Sequence, residues 1–324
     1  MESLKRALKI LLAATLTACN SGVFIEDFLP ETQEVILRGG TSSLHFKAEN
    51  WGIFGLVKNN PASSEPVSLS VFDSNGKKAS LPIQEKEGAT ISVGTGTISF
   101  KIEKKESKRL DFVNGENMEE DTVRYILEIG NEYERKHISI LLPPTRKYKI
   151  DSVVYQWDKF SYSDDIVEAS GRPRLIVNNS AGKEPASVFL QPYKDAFRKV
   201  KFHLGAEWND TRIEKFFGKE ETAILIPDIV DGKAELSGTK AFLRESEQKQ
   251  DAGLDRDLEI RTSVPAGKRM LLETFLCIQE YHLPFTVHAS NSQTGRKITL
   301  PGDLSSKKPF KYLILKKEMK DDEK

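Results

Sequence analysis

The chain has 324 residues, with 48 basic and 48 acidic side chains and no net charge. No basic excess exists to neutralise a phosphate backbone, which excludes nucleic acid as the main partner. The 38% hydrophobic content can build cores, and the length fits two domains better than one.

The N-terminus orders its residues in three parts. Lys5, Arg6 and Lys9 are basic, Ile10 to Thr17 form an apolar run, and the small residue Ala18 precedes Cys19. That order predicts a secretory signal peptide over residues 1–18. The run is shorter than the roughly 20 residues a membrane-spanning helix needs. Leu16-Thr17-Ala18-Cys19 resembles the lipobox of bacterial lipoproteins. The resemblance implies cleavage before Cys19 and acylation of its thiol. Two or three acyl chains on one residue anchor a protein stably, because each buried methylene contributes about 0.8 kcal/mol. The expected partner is therefore a membrane, and the expected place is the cell envelope, at the outer membrane. Glu26 and Asp27 resemble the acidic cluster that sends some Bacteroidetes lipoproteins to the surface; the periplasmic and surface-facing leaflets both stay open. Without residues 1–18 the chain carries 45 basic and 47 acidic residues, a net charge of −2.

Residues 19–30 read as a lipidated tether. Beyond them the hydrophobic period becomes two. Ile98, Phe100 and Ile102 alternate with polar neighbours, as do Val123, Tyr125, Leu127 and Ile129. Val200, Phe202 and Leu204 repeat the pattern, followed by Phe285 and Val287. Such alternation predicts half-buried strands. Gly39-Gly40, Asn114-Gly115, Asn131-Glu132, Asp231-Gly232 and Pro301-Gly302 supply turn residues. Short helices are expected only near Pro192–Phe197, Asp210–Phe217 and Ser246–Gln250. Pro143-Pro144 removes ladder donors and marks a boundary. The resulting division is 31–143 for the first domain, 146–317 for the second, and 318–324 for a charged tail.

The first domain has a layout of its own: strand Glu34–Arg38, the Gly-Gly turn, Ser43–Lys47, a Trp51-Gly52-Ile53 element, and a closing hairpin over Thr122–Gly130 and Tyr133–Leu142. This resembles the small Ig-like modules of Bacteroidetes lipoproteins, including the BACON type. The expected fold class is all-β, with two Ig-like β-sandwich domains in tandem after the signal peptide.

No residue pattern points to catalysis. The chain lacks a Gly-x-Ser-x-Gly elbow, a His-Glu-x-x-His pair, a phosphate loop and a dinucleotide fingerprint. The five histidines, His45, His137, His203, His282 and His288, have no metal-ligand spacing, and no metal or cofactor is expected. Asp251, Asp255, Asp257 and Glu259 offer oxygen ligands, but their spacing is not that of an EF-hand. Cys277, within an apolar run, reads as a small buried hydrophobe. Two stretches combine aromatics with amide and charged side chains, as sugar recognition requires. One is Trp208, Asn209, Asp210 and Arg212; the other is Tyr155, Trp157 and Tyr162. Each sits where a strand runs into a loop, and core packing is the favoured reading over ligand contact for each. The expected role is non-catalytic binding at a membrane, with a glycan, an envelope polymer or an envelope protein as ligand. The alternative is a structural or adhesion subunit that pairs by strand addition.

Overall fold

The structure is a computed structural model that describes residues 28–60, 63–66, 68–84, 87–131, 133–219 and 222–319. Cys19 and the signal segment lie outside the described residues. The protein is almost wholly β and divides into two units, with the boundary between Arg146 and Lys147.

Among the described residues unit 1 holds eleven strands. They are β1 (Glu34–Ile36), β2 (Thr41–His45), β3 (Gly52–Asn60), β4 (Ser63–Pro66), β5 (Leu69–Phe72) and β6 (Lys78–Ala79). Then come β7 (Ala89–Thr95), β8 (Ile98–Glu106), β9 (Arg109–Asn117), β10 (Val123–Gly130) and β11 (Arg135–Leu142). Two sheets form, in the orders β1-β11-β10-β3-β4 and β2-β9-β8-β7-β5-β6. Their alternating residues meet in one core. Leu56, Tyr125, Leu127 and Ile140 come from the first sheet, and Ile91, Phe100, Ile102 and Phe112 from the second. Each such side chain contributes about 1.5–3 kcal/mol by leaving water. Trp51 is buried and stacks on Phe46 with ring centroids 3.9 Å apart.

Unit 2 holds β12 (Lys149–Tyr155), β13 (Ser161–Asn179), β14 (Ala186–Leu190), β15 (Phe197–His203), β16 (Ala223–Leu225) and β17 (Asp228–Val230). After these come β18 (Lys233–Glu235), β19 (Lys240–Phe242), β20 (Gln248–Asp251), β21 (Ile260–Val264), β22 (Lys268–Ser290) and β23 (Lys297–Glu318). Among the described residues its one helix of more than a turn is α1 (Asp210–Phe217). The unit has one large sheet, in the order β12-β22-β23-β15-β20, with β13 also paired to β22. Three two-stranded ribbons accompany it: β14-β21, β16-β19 and β17-β18. The sequence predicts a second Ig-like β-sandwich over 146–317; the unit is almost wholly β, built on one large sheet with these ribbons.

β22 is 23 residues long. At about 3.3 Å per residue it extends roughly 75 Å. The β22–β23 hairpin keeps register along its length, with one shift at Cys277/Ile278. Pro301 and Gly302 lie inside β23 and form no turn. Pro301 opposes Thr286, beyond the stretch where β15 pairs with β23, so its missing N–H breaks no ladder bond on that side. A side chain at position 302 would meet Phe285 Cζ at 2.6 Å and the His203 carbonyl at 2.9 Å, so only glycine fits. The helix expected near Pro192–Phe197 is a set of turns, with β15 starting at Phe197. The helix expected at Ser246–Gln250 is a bend followed by β20.

Candidate functional site

Residues 222–243 form a hairpin whose backbone bonds are internal. β16 pairs with β19, and β17 with β18, around the Asp231-Gly232 turn. Both turn residues have positive φ, 49° and 75°, as tight hairpin turns of this kind require. Ile226 N–H donates to the Thr239 carbonyl at 2.8 Å, and Leu243 N–H to the Thr222 carbonyl at 2.9 Å. The hairpin is thus a separate ribbon beside the large sheet.

The pairing parity sorts its side chains onto two faces. Ala223, Leu225, Pro227 and Ile229 share one face with Ala234, Leu236, Lys240 and Phe242. Asp228 shares the other with Lys233, Glu235, Ser237 and Thr239, and with Ile224, Ile226, Ala241 and Leu243, which are buried. Leu225, Leu236 and Phe242, all on the first face, are 44%, 49% and 42% exposed. A groove of about 520 Å³ runs beside them, lined also by Ile150, Val153 and Tyr155.

What holds the ribbon down is a set of side chains. Arg198 on β15 is buried and spreads its guanidinium over four acceptors. It donates to Asp228 Oδ1 at 2.5 Å, the Pro227 carbonyl at 2.6 Å, Ser306 Oγ at 2.9 Å and Tyr281 OH at 3.1 Å. Tyr281 in turn donates to the Pro227 carbonyl at 2.8 Å. The other oxygen of Asp228 accepts from Thr239 Oγ1 at 2.6 Å and Ser237 Oγ at 2.7 Å. One carboxylate therefore ties both strands of the hairpin to the large sheet. Burial alone would raise the Asp228 pKa. The hydroxyls of Thr239 and Ser237, with the charges of Arg198 and Lys308, outweigh it and hold the carboxyl below its ordinary range. Elsewhere Gln248 and Gln250 brace the backbone of Phe242 and Lys240, and Tyr155 OH donates to the Leu225 carbonyl.

The residues anticipated as ligand contacts fall into two groups. Asn209 caps α1, its Oδ1 accepting from Arg212 N–H at 2.9 Å. Asp210 accepts from Glu245 N–H at 2.6 Å, and its pKa is lowered because hydrogen bonds at Glu245 and Ser246 overcome the effect of burial. Trp208 is buried against Phe216, 5.1 Å between centroids, with the Arg212 guanidinium 4.7 Å from its ring. These four residues cap and dock a helix. Tyr155 and Trp157 are neighbours, 5.5 Å between centroids, and Trp157 is 45% exposed on a single 3-10 turn. Tyr162 accepts from Gln279 Nε2 at 3.3 Å across the next strand pair. Cys277 is buried.

Sequence reasoning marked the Asp231-Gly232 turn but not the hairpin's role. The available signal was Asp228, the lone charge in the run 223–230.

No family model matches the chain, and no curated protein sequence matches it. Among solved structures, the lamprey immune protein is similar at a TM-score of 0.29 and 11% identity, over 88% of this chain and 89% of that one. A β-pore-forming protein from Brevibacillus laterosporus gives 0.26 and 10%, over 62% and 80%. The parasporin-2 toxin of Bacillus thuringiensis gives 0.25 and 8%, over 60% and 74%.

Proposed function

We propose that the chain is an exported protein, lipid-anchored at Cys19 in the cell envelope, whose second unit inserts the 222–243 hairpin into a bilayer. The observation that carries this reading is the two-faced hairpin, whose backbone bonds are internal and which only side chains fasten to the sheet. Residues 222–230 and 233–243 each reach the roughly 9–11 residues of a tilted transmembrane strand. In a barrel wall one face would turn Leu225, Ile229, Leu236 and Phe242 toward lipid, with Lys240 near its end, and the other would turn Asp228, Lys233, Glu235, Ser237 and Thr239 toward a lumen, with Ile224 and Ile226 beside them. A lone hairpin has open edges, which hydrocarbon does not tolerate. Insertion therefore requires several copies closing one barrel, which makes the product a pore. Unit 1 is the Ig-like module in this reading, spacing the second unit from the anchor.

The test is dye release from lipid vesicles. The protein is expected to release trapped calcein, and Leu236→Asp, at an exposed position, to reduce the rate at least tenfold while leaving the fold intact. A charge on the lipid face of a barrel strand costs on the order of 2–4 kcal/mol near the midplane. Equal release by both proteins would exclude the hairpin. The anchor is tested separately: Cys19→Ala is expected to move the protein from the membrane to the soluble fraction and leave it uncut. A membrane-bound, processed Cys19→Ala protein would remove the anchor.

A non-catalytic glycan-binding role is the second reading, and the exposed Trp157 beside the half-buried Tyr155 favours it. Trp157→Ala would then abolish retention on an envelope glycan without changing dye release.

A further inference from the structure

On the face of the large sheet that carries Phe197, three lysines stand abreast. Lys199 on β15 lies directly opposite Lys249 on β20 and, on its other side, Lys307 on β23. Like charges opposite one another in a sheet are destabilising. Lys307 is compensated by Glu168 at 3.3 Å and Glu280 at 3.6 Å. Among the described residues no carboxylate lies within ion-pair distance of Lys199 or Lys249. Arg256 adds a third such cation, 4.9 Å from the Phe197 ring, with Lys249 6.0 Å from the same ring. The chain without its signal segment is net acidic, so this concentration of unpaired cations is local.

Beside the row is a cavity of about 220 Å³. Phe197, Leu276, Ile278 and Pro309 give it an apolar floor; Glu168 and Asp195 join the lysines at its rim. Lysine ammoniums act as point charges for phosphate oxygens. An apolar floor next to them suits a ligand that carries an anionic group and hydrocarbon on one molecule. We infer that Lys249, Lys199 and Arg256, with the adjoining cavity, form a binding site for the phosphate of an anionic phospholipid headgroup. Free phosphate shares the charge but has nothing to place on the floor. Lys199, Lys249 and Lys307 lie on the sheet face opposite to Arg198 and Ser306, which fasten the hairpin, and binding there does not depend on insertion.

The test is sedimentation with vesicles, using full-length protein in a Cys19→Ala background so that no acyl chain contributes. Vesicles of phosphatidylcholine with phosphatidylglycerol are expected to bind more protein than phosphatidylcholine alone. Each basic residue near an anionic surface contributes about 1 kcal/mol, so Lys199→Gln/Lys249→Gln should weaken the partition about thirtyfold. Millimolar inorganic phosphate should compete no better than chloride of equal ionic strength. Independence from phosphatidylglycerol, or wild-type binding by the double variant with its thermal transition unchanged, would overturn the site. Full competition by inorganic phosphate would overturn the lipid assignment. Binding is read apart from dye release, and Leu236→Asp is expected to sediment like the wild type. Absence of dye release by the wild type, or equal release by Leu236→Asp, with retained sedimentation therefore counts against insertion alone.

Discussion

Arg198→Ala is expected to destabilise unit 2 by about 3–5 kcal/mol and to loosen the hairpin. Removing one partner of a buried ion pair leaves the other charge uncompensated, which is where that magnitude comes from. Here the loss is compounded, because the same guanidinium satisfies the Pro227 carbonyl and Ser306 Oγ. Asp228 would retain only Lys308, at 3.6 Å, as a cationic partner. Urea unfolding read on unit 2, with limited proteolysis at Asp231-Gly232, measures both effects. Arg198→Lys should fall between wild type and alanine, since an ammonium keeps the charge but not the planar fork. If the hairpin is the inserting element, Arg198→Ala should also release dye faster per folded molecule. Unchanged stability in Arg198→Ala would mean the pair fastens nothing.

The same carboxylate fixes a pH dependence whose sign is unambiguous. The folded-state pKa of Asp228 is depressed, while the unfolded value is about 3.9. Its stabilisation is therefore fully present above pH ~4 and is lost as pH falls through the lower folded value. Mild acid at pH 5 is expected to leave the hairpin fastened. Asp228→Asn should remove this dependence.

The sequence revealed the strands wherever one face met a core and the other met water. Ile98, Phe100 and Ile102 alternate in the sequence and are buried in the fold, as are Val200, Phe202 and Leu204. The length of β23 was hidden because Pro301 and Gly302 read as a turn, and Pro309 lies in the same strand. Each is tolerated for a reason that depends on a distant strand: Pro309 sits at the register shift opposite Ile278, and Gly302 lies under Phe285. The aromatic groups were legible as residue types but not as roles. Asn209 is an ordinary N-cap, and capping consumes the side chain that a ligand would have used. The fastening of the hairpin was least visible of all, because Arg198 and Asp228 are joined across strands with no periodic relation between them.

Unit 1 contains a second buried cation, whose expected pH dependence has the same sign as that of Asp228 but falls in the alkaline range. Lys104 is fully buried; its Nζ donates to the Trp51 carbonyl at 2.7 Å and sits 4.0 Å from the Trp51 ring. Both contacts favour the ammonium, yet burial dominates and lowers its pKa to about 8. The unfolded value is about 10.4. Between these values the unfolded chain binds more protons, so unit 1 should become more stable as pH rises from 8 to 10. The gain is roughly 2–3 kcal/mol from the free energy of a pKa shift. Lys104→Met should flatten the rise. At pH 7 the variant gains by removing a buried charge but loses the donor to the Trp51 carbonyl, about 1 kcal/mol. The informative quantity is thus the difference between the two proteins across pH, read by hydrogen exchange of the β8 amides. A difference independent of pH would mean that Lys104 keeps its proton in the fold and that its contacts with Trp51 outweigh burial. A pH-dependent one would make this lysine a fixed cost of holding the Trp51 element against the core.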